Sequence, residues 1–397
     1  MEAVTFGDGP LLILAGAGSG KTRVLTARIA YLVQKLGIAP ESILAVTFTN
    51  KAAGEMRERL AHLIGPSSRS LWLGTFHSLG LRLLRRESRV LGLQSDLTVY
   101  NDDDQLSLIK QVMADLKLNE KTTPPKAMLA RINQAKNENV GPAEYAKLVD
   151  DFIAERVSKV YSLYQKKLRE MGCLDFGDLI CEPINLMRQH PGVLERYKNH
   201  FQYLLVDEYQ DTNKAQYTLT GMLASGSRNL LAVGDPDQSI YAWRGADISN
   251  ILDFEKDYPD ATVLRLEQNY RSTAHILAAA NSVIERNAKR LKKTLALGQH
   301  TCVDYVHFVQ NQQNRRMVFE RVQPDSHPLI FLCRGSAGIH QPQNHVCIPQ
   351  AVFSHLVHVL AKLVHGKMHP GRIHKDHLGV FQRENTQLAQ PGGLRAW

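Results

Sequence analysis

Residues 11–22 read LLILAGAGSGKT, an apolar run of strand length that passes directly into a glycine-rich turn and then into a segment of helical periodicity. Strand, tight turn and helix in that order leave few folds open. Glycines let successive backbone N–H groups turn toward an anion, and the N-terminus of the following helix adds a favourable dipole. Ala15, Gly16, Ala17, Gly18, Ser19, Gly20, Lys21 and Thr22 are therefore read as a phosphate cradle. In it Lys21 reaches the β- and γ-phosphates of a nucleotide and the Thr22 hydroxyl holds magnesium. The general pattern GxxxxGK[ST] has glycine where this chain has Ala15. With Gly16, Gly18 and Gly20 nearby, the loop is expected to close all the same.

Alternation continues beyond the cradle. ILAVTFT is followed by KAAGEMRERLAHLIG, and LWLGTFHS by LGLRLLRRE, which implies a parallel α/β sheet. From about 102 to 190 the pattern is helical only, with DDDQLSLIKQVMADL, PKAMLARINQAKN and AERVSKVYSLYQKKLREMG. Strand-like runs return at YLLVDEYQD, NLLAVGDPDQ and ATVLRLEQ. The expected organisation is an α/β phosphate-loop domain split by a helical insertion: 1–95, insertion 96–175, second part 176–295, and an atypical tail 296–397. Eleven of the sixteen histidines fall between His300 and His377, where clear alternation stops, so this tail is expected to be poorly structured. Within it HLVHVLAKLVH could form one amphipathic helix.

A nucleotide-binding sheet needs a magnesium-holding acid at the end of a neighbouring strand. Asp207, just after the apolar run YLLV, meets that need, and Glu208 beside it can deprotonate a water for in-line attack. These residue types together point to ATP hydrolysis. A second crowding of function-bearing residues follows NLLAV. The stretch GDPDQSIYAWRGAD, 234–247, packs acids, an amide, two large aromatics and an arginine just beyond a strand end, a mixture that burial alone does not explain.

At 397 residues the chain has room for two or three domains. Hydrophobic residues at 44% and charged residues at 22% fit an ordinary soluble globular protein, which argues against a disordered or membrane class. The formal charge of +9 favours polyanionic partners such as nucleic acid, although weakly by itself. Cys173, Cys181, Cys302, Cys333 and Cys347 form no CxxC pair or regular framework, so a reduced, intracellular protein is expected. No apolar run approaches the roughly 18 residues of a membrane span, and the N-terminus lacks the positive region of a secretion signal. A cytoplasmic location is expected.

Seven stretches occur in order: AGAGSGKT, TFTNKAA (47–53), GTFHS (74–78), LDFGDL (174–179), VDEYQDT (206–212), GDPDQSIYAWRGA (234–246) and LEQNYRS (266–272). Over roughly residues 2–290 the chain resembles the superfamily 1 DNA helicases of the UvrD/PcrA/Rep type. The resemblance implies a RecA-like sheet, the cofactors ATP and Mg²⁺, and 3′-to-5′ translocation on single-stranded DNA with unwinding at single-strand/duplex junctions. Roles in DNA repair or replication follow from the same likeness. On the matching positions it implies that Lys21 and Thr22 bind phosphate and magnesium, that Asp207 binds magnesium and that Glu208 is the base. Gln238 senses the γ-phosphate and Arg271 contacts it, while Tyr270 stacks on adenine with Arg23 on the other face. Phe48, Asn50, Thr75, His77, Tyr241, Trp243 and Arg244 line the path of the strand. Aromatic faces suit that task because they stack on any base, and a guanidinium fork suits phosphate oxygens. His77 can equally be a hydrogen-bonded structural histidine, and Phe48 and Tyr241 core aromatics.

Two parts of the family pattern are not found. The motifs of a second RecA-like domain, VxLMTxHxAKGLEF and RRLxYVAxTRA, do not occur, and the glutamine of an upstream LNxxQ is absent before Glu2. A truncated or frame-shifted product is therefore expected, with 300–397 not continuing the fold, and adenine selectivity is in question. A metal-binding tail built on His355 and His358, or His374 and His377, is the competing reading. Alternatives to a working helicase are an ATP- and single-strand-binding fragment without unwinding, and a RecB-like helicase–nuclease subunit. The short helical insertion and the lack of a nuclease carboxylate cluster disfavour the last.

Overall fold

The computed structural model describes residues 1–92, 97–286, 293 and 295–297, with short strand segments at Gln310–Asn311, Asn314–Met317 and Cys333–Arg334. Met1–Gly298 is one compact unit and Gln299–Trp397 a second. The strands that position the site are β1 Leu11–Ala15, β2 Ile43–Thr47, β3 Trp72–Thr75, β4 Thr98–Val99, β5 Cys173–Leu174, β6 Tyr203–Val206, β7 Leu230–Gly234 and β8 Thr262–Leu266. Six of them form one parallel sheet in the order β3-β2-β6-β7-β1-β8. In register, Leu12 lies opposite Ala232, and Val206 opposite both Val46 and Ala232.

The central strands are apolar throughout because both of their faces are covered. Leu12, Leu14, Leu44, Val46, Leu204 and Val206 pack on one side, against Phe76, Leu83, Ile184 and Leu219. Their chain neighbours Leu11, Ile13, Ile43, Ala45 and Leu205 pack on the other, against Leu25, Ile29, Met56 and Leu60. Each fully buried aliphatic side chain contributes about 1.5–3 kcal/mol of transfer free energy. β8, at the edge, is only half-buried.

Parallel neighbours need a crossover, and helices supply it. These helices open just past the strand ends with side-chain caps. Thr49 accepts from the Ala52 N–H at 3.1 Å to start Asn50–Ile64. Thr75 and Ser78 cap each other reciprocally at the start of Phe76–Arg86. Asn213 and Gln216 do the same for Lys214–Ala224. Capping there keeps the loops at the carboxyl edge of the sheet short and rigid.

The insertion comprises the helices Asp102–Asp115, Pro125–Asn137 and Phe152–Glu170 around a core of their own, including Ile109, Val112, Ile132, Val157, Tyr161 and Tyr164. Where it leaves and rejoins the sheet domain, β4 and β5 pair in parallel, Thr98 opposite Cys173. The helix-only reading of 102–190 misses β5, because two residues show no detectable alternation. Beneath this ladder the buried Lys136 ammonium donates to Asp175 at 2.6 Å and Asp178 at 2.7 Å. A Cβ on Gly177 would come within 2.5 Å of the Lys136 side chain. The LDFGDL stretch is thus a clasp between insertion and sheet domain.

Among the described residues no helix is long and apolar enough to cross a membrane. No group of three or more His, Cys, Asp or Glu could hold a metal ion there. Cys173 and Cys181 are free thiols. Of the tail only the short strand segments are described, and its expected amphipathic helix and histidine pairs lie outside the described residues.

Candidate nucleotide site and strand-binding face

The loop after β1 turns through two left-handed glycines, Gly18 at φ 72° and Gly20 at φ 95°, into the helix Lys21–Gln34. Ser19 is buried and its hydroxyl donates to the Gly16 carbonyl at 2.7 Å. Ala15 is the last residue of β1 and wholly buried, a strand position that makes no demand for glycine. The departure from the general pattern is accommodated there. The 269–272 segment holds the cradle from outside. Asn269 Nδ2 donates to the Ala17 carbonyl at 2.5 Å, and its Oδ1 accepts from the Arg271 and Ser272 N–H groups, each at 2.8 Å. The Tyr270 N–H donates to the Gly18 carbonyl at 3.0 Å. A Cβ on Gly18 would lie 2.7 Å from Arg271 Cβ and 2.8 Å from Asn269 Nδ2. Arg271 and Tyr270 are thus brought to the cradle through their main chain, and both side chains are exposed. The Tyr270 hydroxyl donates to Gln268 at 2.5 Å. Arg23 is exposed on the first turn of the helix.

Lys21, at the start of that helix, donates to Glu208 Oε2 at 2.9 Å and to Gln238 Oε1 at 3.3 Å. Three chain segments therefore meet at one ammonium: the cradle, the end of β6 and the loop after β7. Glu208 adopts φ 50°, a left-handed conformation rare outside glycine, and its N–H donates to its neighbour Asp207 at 3.0 Å. Burial, and then the Glu208 charge, push the Asp207 carboxyl up to about 6. No ion pair with lysine or arginine is made by Asp207 among the described residues. A buried carboxylate of that kind fits Mg²⁺, which takes one or two carboxylates together with substrate phosphates, and Thr22 follows Lys21 on the first turn of the helix after the cradle.

Gln210 organises the acids behind this point. Its Nε2 donates to Glu208 at 2.8 Å and Asp211 at 3.1 Å, while its Oε1 accepts from the Asp235 N–H at 3.0 Å. Asp235 in turn accepts from Gln238 Nε2 at 2.5 Å and from Lys293, and Lys293 also donates to Asp237 at 2.9 Å. The far end of the loop is tied to the same carboxylate segment. The Thr212 carbonyl accepts from the Asp247 N–H at 3.0 Å and from Asn250 Nδ2 at 2.9 Å. Sequence reasoning did not single out Gln210, Asp235, Asn250, Asn269 or Lys293.

On the outer side of the loop, Phe48 and Tyr241 pack with ring centroids 4.9 Å apart and planes at 31°. Trp243 follows at 6.5 Å from Tyr241, and the Arg244 guanidinium lies 4.6 Å over the Trp243 ring. Trp243 is 74% exposed, so this aromatic cluster is not core. Asn50, exposed, opens the helix after β2. His77 stands apart from these rings in its contacts. It meets Phe176 edge-on at 5.9 Å, and burial lowers its pKa, which keeps the imidazole neutral. The Thr75 hydroxyl accepts from the Ser78 N–H at 3.3 Å as a helix cap. Phe176 and Ile240, both large, apolar and exposed beside these residues, were not anticipated. An aromatic between an acid and a glycine in LDFGDL was the available signal.

A family model, the UvrD/REP helicase N-terminal domain, matches residues 1–259. The ATP-dependent DNA helicase PcrA of Leuconostoc citreum is 53% identical over 295 residues, which is 74% of this chain and 39% of that protein. The proteins of the same name from Bacillus subtilis (strain 168) and Staphylococcus aureus (strain NCTC 8325 / PS 47) are each 53% identical over 294 residues, 74% of this chain and 40% of theirs. The chain spans about two fifths of the length of these curated relatives. With cradle, paired acids and aromatic loop all falling inside the matched region, the chain belongs to the UvrD/REP helicase family and carries its N-terminal domain.

Proposed function

We propose that the chain binds ATP at the Lys21 cradle and single-stranded DNA along Phe48, Tyr241, Trp243 and Arg244. ATP hydrolysis drives 3′-to-5′ movement on the strand and unwinding at a single-strand/duplex junction. The observation that carries this reading is a spacing within one loop. Gln238 accepts from Lys21 at 3.3 Å, and Tyr241, three residues on, packs at a tilt against Phe48. A shift of either end is transmitted to the other because the loop is tied to Gln210 at its start and to Thr212 at its end.

Each residue then has a defined task. The cradle N–H groups and Lys21 bind the β- and γ-phosphates. Thr22 and Asp207 hold Mg²⁺, which supplies positive charge against the phosphate oxygens. Glu208, next to Lys21, takes the proton of the attacking water. Arg271, anchored through Asn269, offers its guanidinium to the transferred group. Tyr270 and Arg23 take the adenine, and Asn50, Thr75 and His77 extend the strand path.

The test is ATP turnover with and without single-stranded DNA, in wild type and Lys21→Ala, followed by displacement of 3′-tailed and 5′-tailed duplexes. Stimulation lost in Lys21→Ala, with preference for the 3′ tail, supports the motor. Strand displacement that survives Glu208→Gln refutes the ATPase assignment. The second reading is an ATP- and strand-binding module without unwinding. Its mark is DNA-stimulated turnover with both duplexes left closed.

A further inference from the structure

The insertion meets the aromatic loop through Asn137, the last residue of the helix Pro125–Asn137. Asn137 Nδ2 donates to the Arg244 carbonyl at 3.2 Å, and Asn137 Oδ1 accepts from Asn213 Nδ2 at 2.9 Å. The next residue of the loop, Gly245, sits at φ 85°, and a Cβ there would come 2.8 Å from Asn137 Nδ2. The turn that presents Trp243 and Arg244 is therefore packed, backbone on side chain, against the insertion. Asn213 is committed on its other atoms. Its Oδ1 accepts from the Gln216 N–H at 2.9 Å, which leaves Nδ2 for Asn137. Asn213 is also only five residues past Glu208. One planar amide thus joins the insertion, the carboxylate segment and the strand-facing loop.

The position of this amide is set by its chain neighbour. Lys136 is buried, with its ammonium on Asp175 and Asp178, and Asp175 also accepts from the Tyr164 hydroxyl at 3.0 Å. Asp178 accepts from Gln165 Nε2 at 3.0 Å as well. These bonds connect the helix Pro125–Asn137, the helix Phe152–Glu170 and the LDFGDL stretch at the root of the insertion. The end of the Pro125–Asn137 helix cannot shift without breaking buried charge contacts or carrying Asn137 with it.

We propose that Asn137 is a positioning residue that ties the orientation of the insertion to the Tyr241–Trp243 strand-binding loop. The proposal rests on the reading of that loop as the DNA face. It adds a third arm to the coupling between nucleotide and strand. Asn137 itself touches neither ligand and acts through the Arg244 carbonyl and Asn213. Asparagine suits the post because it offers an acceptor and two donors on one rigid group, whereas aspartate lacks the donor.

The test uses the full chain with Asn137→Ala and Asn137→Asp, read first by hydrogen–deuterium exchange of the peptide spanning 241–247. Three amides there close the turn: Arg244 and Ala246 donate to the Tyr241 carbonyl, and Gly245 to the Ala242 carbonyl. Loss of one supporting hydrogen bond is expected to speed their exchange about 2- to 10-fold in both variants, with peptides of the sheet core unchanged. Single-stranded DNA affinity should fall by a similar roughly 2- to 10-fold, and nucleotide affinity should stay at the wild-type value. Unchanged exchange at 241–247, or exchange raised equally throughout the protein, overturns the proposal. A wild-type protein that does not bind single-stranded DNA sinks the functional reading instead, and the exchange result then decides the Asn137 contact by itself.

Discussion

The Lys21 ammonium rests on the Glu208 carboxylate at 2.9 Å, which joins the phosphate cradle to the residue assigned as base. Glu208→Gln keeps the size of the side chain and an acceptor for Lys21 and Gln210 but removes the basic oxygen. ATP hydrolysis is expected to fall by about 10²- to 10⁴-fold with nucleotide affinity retained. Phosphate release and binding of a fluorescent nucleotide read the two quantities separately. Lys21→Ala, in contrast, should lose both.

Gly18→Ala faces two obstacles, the left-handed φ of 72° and a Cβ placed 2.7 Å from Arg271 Cβ. Nucleotide binding should be lost while the far-UV circular dichroism spectrum is unchanged, because the clash is confined to the cradle. Asn269→Ala leaves the Ala17 carbonyl and the Arg271 and Ser272 N–H groups without their side-chain partner. A loss of about 1–3 kcal/mol in urea unfolding is expected.

Asp207 yields a prediction in pH. Burial and Glu208 raise its carboxyl from 3.8 to about 6 in the folded protein. The native state holds the proton while the unfolded chain has released it, so this group makes stability fall as pH rises from 3.8 to about 6. Asp207→Asn should therefore unfold at higher urea than wild type at pH 7.5 without divalent ions, with the difference shrinking toward pH 4. The asparagine variant should lack Mg²⁺-dependent turnover. A variant less stable than wild type at pH 7.5 would contradict the burial argument.

Trp243 is 74% exposed and contributes little to the core. Trp243→Ala should weaken single-strand binding by about 1–3 kcal/mol, equally for any base composition. Unfolding free energy should change by no more than about 0.5 kcal/mol. Titration of labelled oligonucleotides of different sequence, beside a thermal melt, measures both.

Lys136→Met removes the cation from two buried carboxylates, Asp175 and Asp178. Uncompensated buried charge costs about 3–5 kcal/mol, so denaturant midpoints should drop steeply. The change should be partly relieved by adding Asp178→Asn, a comparison that isolates the charge from the packing.

The phosphate cradle, the paired acids and the alternating strands were legible in the chain because each is a local pattern. Apolar runs such as LLILA and YLLV announce strands buried on both faces, and GKT after such a run announces an anion site. The aromatic loop was legible as an oddity of composition, since nothing in a core needs Tyr, Trp and Arg side by side after GDPDQ. The root of the insertion was not, because β4 and β5 are only two residues long and the Lys136 clasp unites residues 39 and 42 positions apart.

The sequence by itself determined the parallel sheet and where the glycine-rich loop, the paired acids and the aromatic loop fall along it, since periodicity and motif spacing act over a few residues. Tertiary structure alone decided how the parts are wired. Asn269 reaches Ala17 across 252 positions, Lys21 reaches Glu208 across 187, and Asn137 reaches Arg244 across 107. A polar side chain carries no mark of which distant backbone atom it will satisfy. That partner is chosen only when packing of the apolar faces brings the two together and excludes water from between them.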